Sequence, residues 1–162
     1  MQLTEKERSL LKDLKGQESL CIEKYSESAR RANDPALAEL FSSLENAERQ
    51  HLETLAKIEQ GEAPQPGGST GGQQSGQSGG GQSAEQTFPA RYFVSETPEK
   101  KEDCFLCTDL LAAEKHASHL YDTCVFEFRE AAARDALAHI QQEEQQHGKK
   151  LYDYMKANAM YS

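Results

Sequence analysis

Two Glu-x-x-His motifs carry the most chemical content in this chain: Glu48 with His51, and Glu144 with His147, 96 residues apart. Thirty residues before each motif stands another glutamate, Glu18 and Glu114. The same offset pairs Asp13 with Asp109, Leu14 with Leu110, Tyr25 with Tyr121 and Leu55 with Leu151, without a gap. A carboxylate and an imidazole three residues apart on a helix share one face and can reach one cation. Four carboxylates and two imidazoles on four helices are the ligand set of a carboxylate-bridged di-metal site in a helical bundle. Oxygen and imidazole ligands suit two iron or two manganese ions.

The apolar neighbours say where these groups should sit. Leu44, Glu48, His51 and Leu55 fall at i, i+4, i+7 and i+11, one face of a helix, and Ile140, Glu144, His147 and Leu151 repeat the pattern. Leu14 precedes Glu18 by four residues, as Leu110 precedes Glu114. The sequence thus writes four carboxylates into stripes that should be buried. Unpaired, each would cost several kcal/mol or take up a proton. Two divalent cations would neutralise all four. With 20 glutamates and five histidines, chance alone gives fewer than one Glu-x-x-His pair, so two are only suggestive. Matched register, apolar flanks and mid-helix placement raise the case against an accidental set of exposed charges.

The elements that must position these residues are helices. Apolar residues recur at three- and four-residue spacing, which predicts helices at about 4–33, 35–60, 98–129 and 131–157. Thr4-x-x-Glu7 forms a capping box for the first helix. Asp34 and Pro35 supply the N-cap and first residue of the second, and Thr97-Pro98 those of the third. Nothing local marks the fourth boundary. The repeat places it, because Glu130 corresponds to Asp34. All four glutamates lie near mid-helix, so they meet at one level whichever way each helix runs. The expected fold is all-α: an antiparallel four-helix bundle of two repeated hairpins, residues 1–60 and 97–162.

Residues 61–96 are a different kind of sequence. Nine of the 11 glycines fall in 61–81, mixed with Gln and Ser, which reads as flexible linker. Phe88 to Val94 is more apolar and is expected to dock on the bundle. A flexible chain of 36 residues spans roughly 33 Å. A helix of about 28 residues is about 42 Å long, so the linker can return along the bundle.

Bulk properties exclude some partners. A formal net charge of −9 with no basic run argues against nucleic acid and against an anionic membrane surface. No apolar run approaches the roughly 20 residues of a membrane span. The charged start, MQLTEKERSLLKDL, has no signal-peptide core, so a cytoplasmic location is expected and the four cysteines should be reduced. Cys104-x-x-Cys107 reads as helix residues ahead of half a zinc site, and Cys21 and Cys124 as small core residues. His116 and His119 read as exposed.

The ordered set of glutamate, Glu-x-x-His, glutamate, Glu-x-x-His resembles the ferritin-like superfamily, which includes rubrerythrins and bacterioferritins. Within it the second half looks like the spore coat F type, through Glu114-Lys115-His116, His119-Leu120-Tyr121, Glu143-Glu144-Gln145-Gln146-His147-Gly148 and the ending Tyr152-Asp153-Tyr154-Met155 with Tyr161. The resemblance implies that Glu18, Glu48 and His51 serve one metal and Glu114, Glu144 and His147 the other, two glutamates bridging. It also implies that Tyr25 and Tyr121 hydrogen-bond ligand carboxylates, although both also read as ordinary core tyrosines. Rubrerythrins carry two Cys-x-x-Cys pairs in an electron-transfer module; this chain has one such pair. The expectation is a di-metal protein reacting with oxygen or peroxide. The competing expectation is a structural spore coat protein with a vestigial or purely structural site, acting as a homodimer or within a coat assembly. The sequence leaves open whether the chain is an enzyme.

Overall fold

The structure, a computed structural model, describes residues 1–64 and 86–161. The core of the expected linker falls at 65–85, outside the described residues. Four helices account for nearly all the rest: α1 (Glu5–Arg31), α2 (Pro35–Glu59), α3 (Pro98–Glu127) and α4 (Ala131–Ala157).

Each boundary has a local cause. Thr4 accepts from the Glu7 amide while the Glu7 carboxylate takes the Thr4 amide, closing the capping box. Asp34 caps α2 through the Ala36 amide, with Pro35 in the first turn. Thr97 caps α3 through the Lys100 amide. Glu130 heads α4 with an extended backbone and no side-chain cap, in keeping with the weak local signal there. Helix α1 stops two residues short of the expected end. The amides of Asn33 and Asp34, at 2.8 and 3.0 Å, turn instead to the Asp103 carboxylate on α3.

The helices form an antiparallel four-helix bundle. Helix α1 packs chiefly on α2 and α3 on α4, while α1–α3 and α2–α4 contacts close the square. Lys6 at the start of α1 pairs with Glu127 at the end of α3, and Arg31 at the end of α1 with Glu102 at the start of α3. Neighbouring helices therefore run in opposite directions. Helices α2 and α3 run the same way, so the crossover between them starts and finishes at opposite ends of the bundle. Its departure is fixed where the Met1 ammonium donates to the Gly61 carbonyl at 2.9 Å. Gly61 sits at φ +84°, and a Cβ there would meet the Met1 carbonyl oxygen at 2.7 Å. Its return is fixed by Tyr92, whose hydroxyl donates to Asp103 at 2.6 Å, and by the edge of Phe88 against Tyr154. Phe93 and Val94, expected to dock, are exposed instead.

The core is divided into two apolar clusters. Leu11, Leu14, Leu55, Ile58, Leu137 and Ile140 fill one end of the bundle. Leu37, Phe41, Leu44, Leu106, Leu110 and Leu151 fill the other. Each such side chain contributes about 1.5–3 kcal/mol by leaving water. Glu18, Glu48, Glu114 and Glu144 lie between the clusters, and all four are buried. Two apolar plugs thus hold one polar layer at mid-height.

Candidate metal centre

The periodicity that builds each helix delivers its polar residues to that layer. Helix α1 brings Glu18, α2 brings Glu48 and His51, α3 brings Glu114, and α4 brings Glu144 and His147. None is more than 4% exposed. All six residues singled out in the sequence meet in one place. They form two overlapping groups whose donor atoms lie within 4.8 Å of one another: Glu18, Glu48, His51 and Glu144, and Glu48, Glu114, Glu144 and His147. Glu48 and Glu144 belong to both. The shared carboxylates are therefore those of the Glu-x-x-His motifs, a distinction the sequence did not make.

Both imidazoles turn Nδ1 inward. His51 Nδ1 lies 3.1 Å from Glu48 Oε2 and 3.2 Å from Glu144 Oε1. His147 Nδ1 lies 3.0 Å from Glu48 Oε1 and 3.5 Å from Glu114 Oε1 and Glu144 Oε2. The rings stack with centroids 5.5 Å apart. Each imidazole thus contacts a carboxylate of the other hairpin, and the layer belongs to neither hairpin alone.

Tyr25 and Tyr121 have a defined place. Tyr25 on α1 donates its hydroxyl to Glu114 on α3, and Tyr121 on α3 donates to Glu18 on α1. The two bonds cross between hairpins in the 96-residue register. Each orients the carboxylate of the opposite half and closes the layer against the adjoining apolar cluster. Cys21, one turn after Glu18, is also buried, and burial beside Glu48, Glu114 and Glu18 pushes its thiol pKa up, keeping it neutral. Its counterpart at position 117 is alanine.

Burial and close neighbours set the protonation of the layer. Burial pushes the Glu18 and Glu114 carboxyls well above the usual range, helped by neighbouring carboxylates. Burial opposes ionisation of Glu48 and Glu144 too, but their neighbours outweigh it. Hydrogen bonds from His147 and His51 hold Glu48 down at about 2. The nearby Glu114 carboxyl and both histidines hold Glu144 lower still, although none makes a well-formed hydrogen bond to it. Burial would likewise lower the histidines, but the carboxylates around them raise His51 to about 12 and His147 to about 11. At neutral pH two carboxylates face two imidazolium groups, and Glu18 and Glu114 hold their protons to higher pH than free carboxyls.

Hydrogen bonding inside the layer is nevertheless incomplete. Glu18 Oε2, Glu114 Oε2 and both oxygens of Glu144 are buried without a hydrogen-bond partner. Buried oxygens left this way each cost about 1–3 kcal/mol, and native structures keep few of them. Four in one layer, on residues that each offer a ligand atom within 4.8 Å of the others in its group, fit a pair of divalent cations. Both groups supply three carboxylates and one imidazole.

Other candidate residues lie elsewhere. Cys104 is half-buried with Sγ 3.9 Å from the Met160 carbonyl oxygen, Cys107 is buried, and both thiols are free. His116 and His119 are exposed. None of these four belongs to either group. One residue at the layer escaped the sequence reading: Glu143 accepts from His51 Nε2, Oε2 to nitrogen 3.0 Å. Its only sequence signal is that its counterpart is Ala47.

Among known families, residues 102–162 match the family model described as Coat F domain. The match takes in α4 and most of α3 and leaves α1 and α2 outside. No curated protein and no solved structure matches the chain. No helix among the described residues is long and apolar enough to cross a membrane.

Proposed function

We propose that this chain, whose second hairpin is of the Coat F type, is a spore coat protein that holds two divalent cations, iron or manganese, in its mid-bundle layer. Glu18, Glu48 and His51 would hold one and Glu114, Glu144 and His147 the other, with Glu48 and Glu144 shared. The observation that carries this reading is the set of four buried carboxylate oxygens without partners inside two overlapping ligand groups. A purely structural charge layer would be expected to satisfy those oxygens with hydrogen bonds.

When bound, such a pair supplies a redox-active Lewis acid suited to oxygen or peroxide. The chain's own residues prepare that chemistry. His51 and His147 present Nδ1 to the centre. Tyr25 and Tyr121 orient Glu114 and Glu18, so the carboxylates do not have to search for their geometry. The two apolar clusters exclude water on either side. Two divalent cations would compete with the protons of the two imidazolium groups and of Glu18 and Glu114 for the same donor atoms. The resemblance to ferritin-like proteins supports the oxidant as substrate; it rests on ligand types and their order along the chain.

A second reading is favoured by the Coat F match itself: a coat component in which the cations only brace the bundle. Anaerobic loading with ferrous iron, metal analysis and then exposure to oxygen or peroxide separates the two. About two irons per chain with a new oxo-bridge absorption are expected for a redox centre. Bound iron without an optical change would leave the bracing role. A folded protein that takes up no iron would remove both.

A further inference from the structure

The hairpins repeat each other at the six ligand positions and at the two tyrosines, but not at every residue beside them. In the 96-residue register Glu143 stands opposite Ala47. Glu143 lies on α4 and reaches across to α2, where its Oε2 is 3.0 Å from His51 Nε2. Its other oxygen is 3.7 Å from His139 Nε2, one turn earlier on α4. The Glu143 side chain is 38% exposed, so its carboxylate spans from solvent to a buried imidazole. In the repeat the position equivalent to Glu143 is held by Ala47, whose methyl group can accept no hydrogen bond. Among the described residues, the contacts of His147 are made by Nδ1, facing the layer.

This difference has a physical consequence for a ligand. An imidazole can offer Nδ1 to a cation only with its remaining proton on Nε2. A carboxylate accepting that Nε2 proton fixes the tautomer, locks the ring and makes Nδ1 the better donor. His51 has such a partner; among the described residues no carboxylate accepts from His147 Nε2. Losing a partner of this kind typically costs about 10–100-fold in metal affinity. We infer that Glu143 is a positioning residue that makes the two cation positions unequal, so that the position at His51 fills first and holds its cation more tightly. This rests on the reading of the layer as a two-cation site.

The register supplies both a loss and a gain. Glu143→Ala removes the partner of His51 and makes the halves alike. Ala47→Glu places a carboxylate where the repeat would set it against His147 Nε2. The test is an anaerobic titration of the metal-free full chain with Co(II), followed by visible absorption and by the exchangeable imidazole N–H signal in the paramagnetic proton NMR spectrum. The wild type should bind in two steps separated by about tenfold or more in affinity. Its first equivalent should give a slowly exchanging N–H signal. Glu143→Ala should weaken the first step until the two merge, and that signal should be lost to solvent exchange. Ala47→Glu should merge the steps by strengthening the second and add a second N–H signal. Thermal melting of each metal-free variant shows that it is folded. Two equal steps in the wild type, or unequal steps unmoved by either substitution, would overturn the inference while leaving the two-cation layer standing. No Co(II) bound by the folded wild type would overturn both.

Discussion

Glu7 of the first hairpin stands where Asp103 stands in the second, and each accepts a hydrogen bond from the turn of the opposite hairpin. The Arg129 amide donates to Glu7 at 2.9 Å and the Asn33 amide to Asp103 at 2.8 Å, and residues 33 and 129 are themselves register partners. From there the two ends diverge. Asp103 also takes the Asp34 amide and the Tyr92 hydroxyl, at 3.0 and 2.6 Å. The Tyr154 hydroxyl reaches Asp34 at 2.7 Å, and Asn158 takes the amides of Arg91 and Tyr92. At the Glu7 end the counterpart of Tyr154 is Ile58 and that of Asp34 is the uncapped Glu130. The mid-bundle layer keeps the repeat in the crossed contacts among its six ligand residues and two tyrosines: Tyr25 to Glu114 and Tyr121 to Glu18, His51 to Glu144 and His147 to Glu48. A repeat held where groups converge, and relaxed where the crossover docks, points to the centre as the shared constraint.

The largest expected effect comes from breaking the symmetry of the layer. Glu48 belongs to both ligand groups, whereas Glu114 belongs to one. Glu48→Ala should abolish binding of both cations; Glu114→Ala should leave one per chain. Metal analysis of the loaded, desalted variants reads this directly. Two cations retained by Glu48→Ala would show that the groups do not overlap as described.

Next in size is a pH effect that separates the layer's two states. His51 and His147 have folded pKa values raised to about 12 and 11, so their stabilisation is fully present below the unfolded value near 6.5 and is lost as pH rises toward those values. Glu18 and Glu114 are also raised, so above pH 4.5 the unfolded chain ionises first and stability again falls with rising pH. Glu48 is lowered to about 2, so its contribution is lost as pH falls from 4.5 toward 2. The metal-free protein should therefore be most stable near pH 5 and melt at lower temperature at pH 8 than at pH 6. Each proton retained only by the folded state accounts for about 1.4 kcal/mol per pH unit. Cations compete with these protons, so the melting-temperature gain on loading should grow with pH. A gain that shrinks from pH 6 to pH 8 would count against proton exchange.

The ends come next. Asp103→Ala orphans two turn amides and the Tyr92 hydroxyl, and should cost about 3 kcal/mol in chemical denaturation. Glu7→Ala removes a capping contact and one amide acceptor, and should cost about 1–2 kcal/mol. Equal costs would mean that the docked crossover adds nothing to its end. The smallest effect is at the surface, where Lys24 pairs with Asp109 at 2.7 Å while the register counterparts are Leu120 and Asp13. Lys24→Met should change stability by less than about 0.5 kcal/mol. A larger change would mean that this pair helps to set the α1–α3 register.

Much of this was legible in the sequence because two periodicities coincide. The helical period set Leu44, Glu48, His51 and Leu55 on one face, and the 96-residue repeat set a second copy beside it. Together they give the four helices, the break at Glu130 and the six residues of the layer. The caps at Thr4, Asp34 and Thr97 were legible because a cap is made by residues adjacent in sequence. What stayed hidden is tertiary. That Tyr25 serves Glu114 and not Glu18, in its own helix, depends on α1 and α3 running antiparallel. That Asp103 gathers Asn33, Asp34 and Tyr92 depends on the crossover's return. Glu143 looks like any glutamate of a charged helix, and only its mismatch with Ala47 marks it. The whole apolar segment from Phe88 to Val94 read as an anchor, yet Phe88 and Tyr92, whose hydroxyl donates to Asp103, dock while Phe93 and Val94 stay exposed.

The central claim, two cations in one layer shared by Glu48 and Glu144, is tested most directly by anomalous scattering from crystals of the manganese-loaded protein. Two peaks are expected inside the bundle, one beside His51 Nδ1 and one beside His147 Nδ1, with both shared carboxylates between them. No peak in the layer, or manganese only at the exposed His116 and His119, would contradict it.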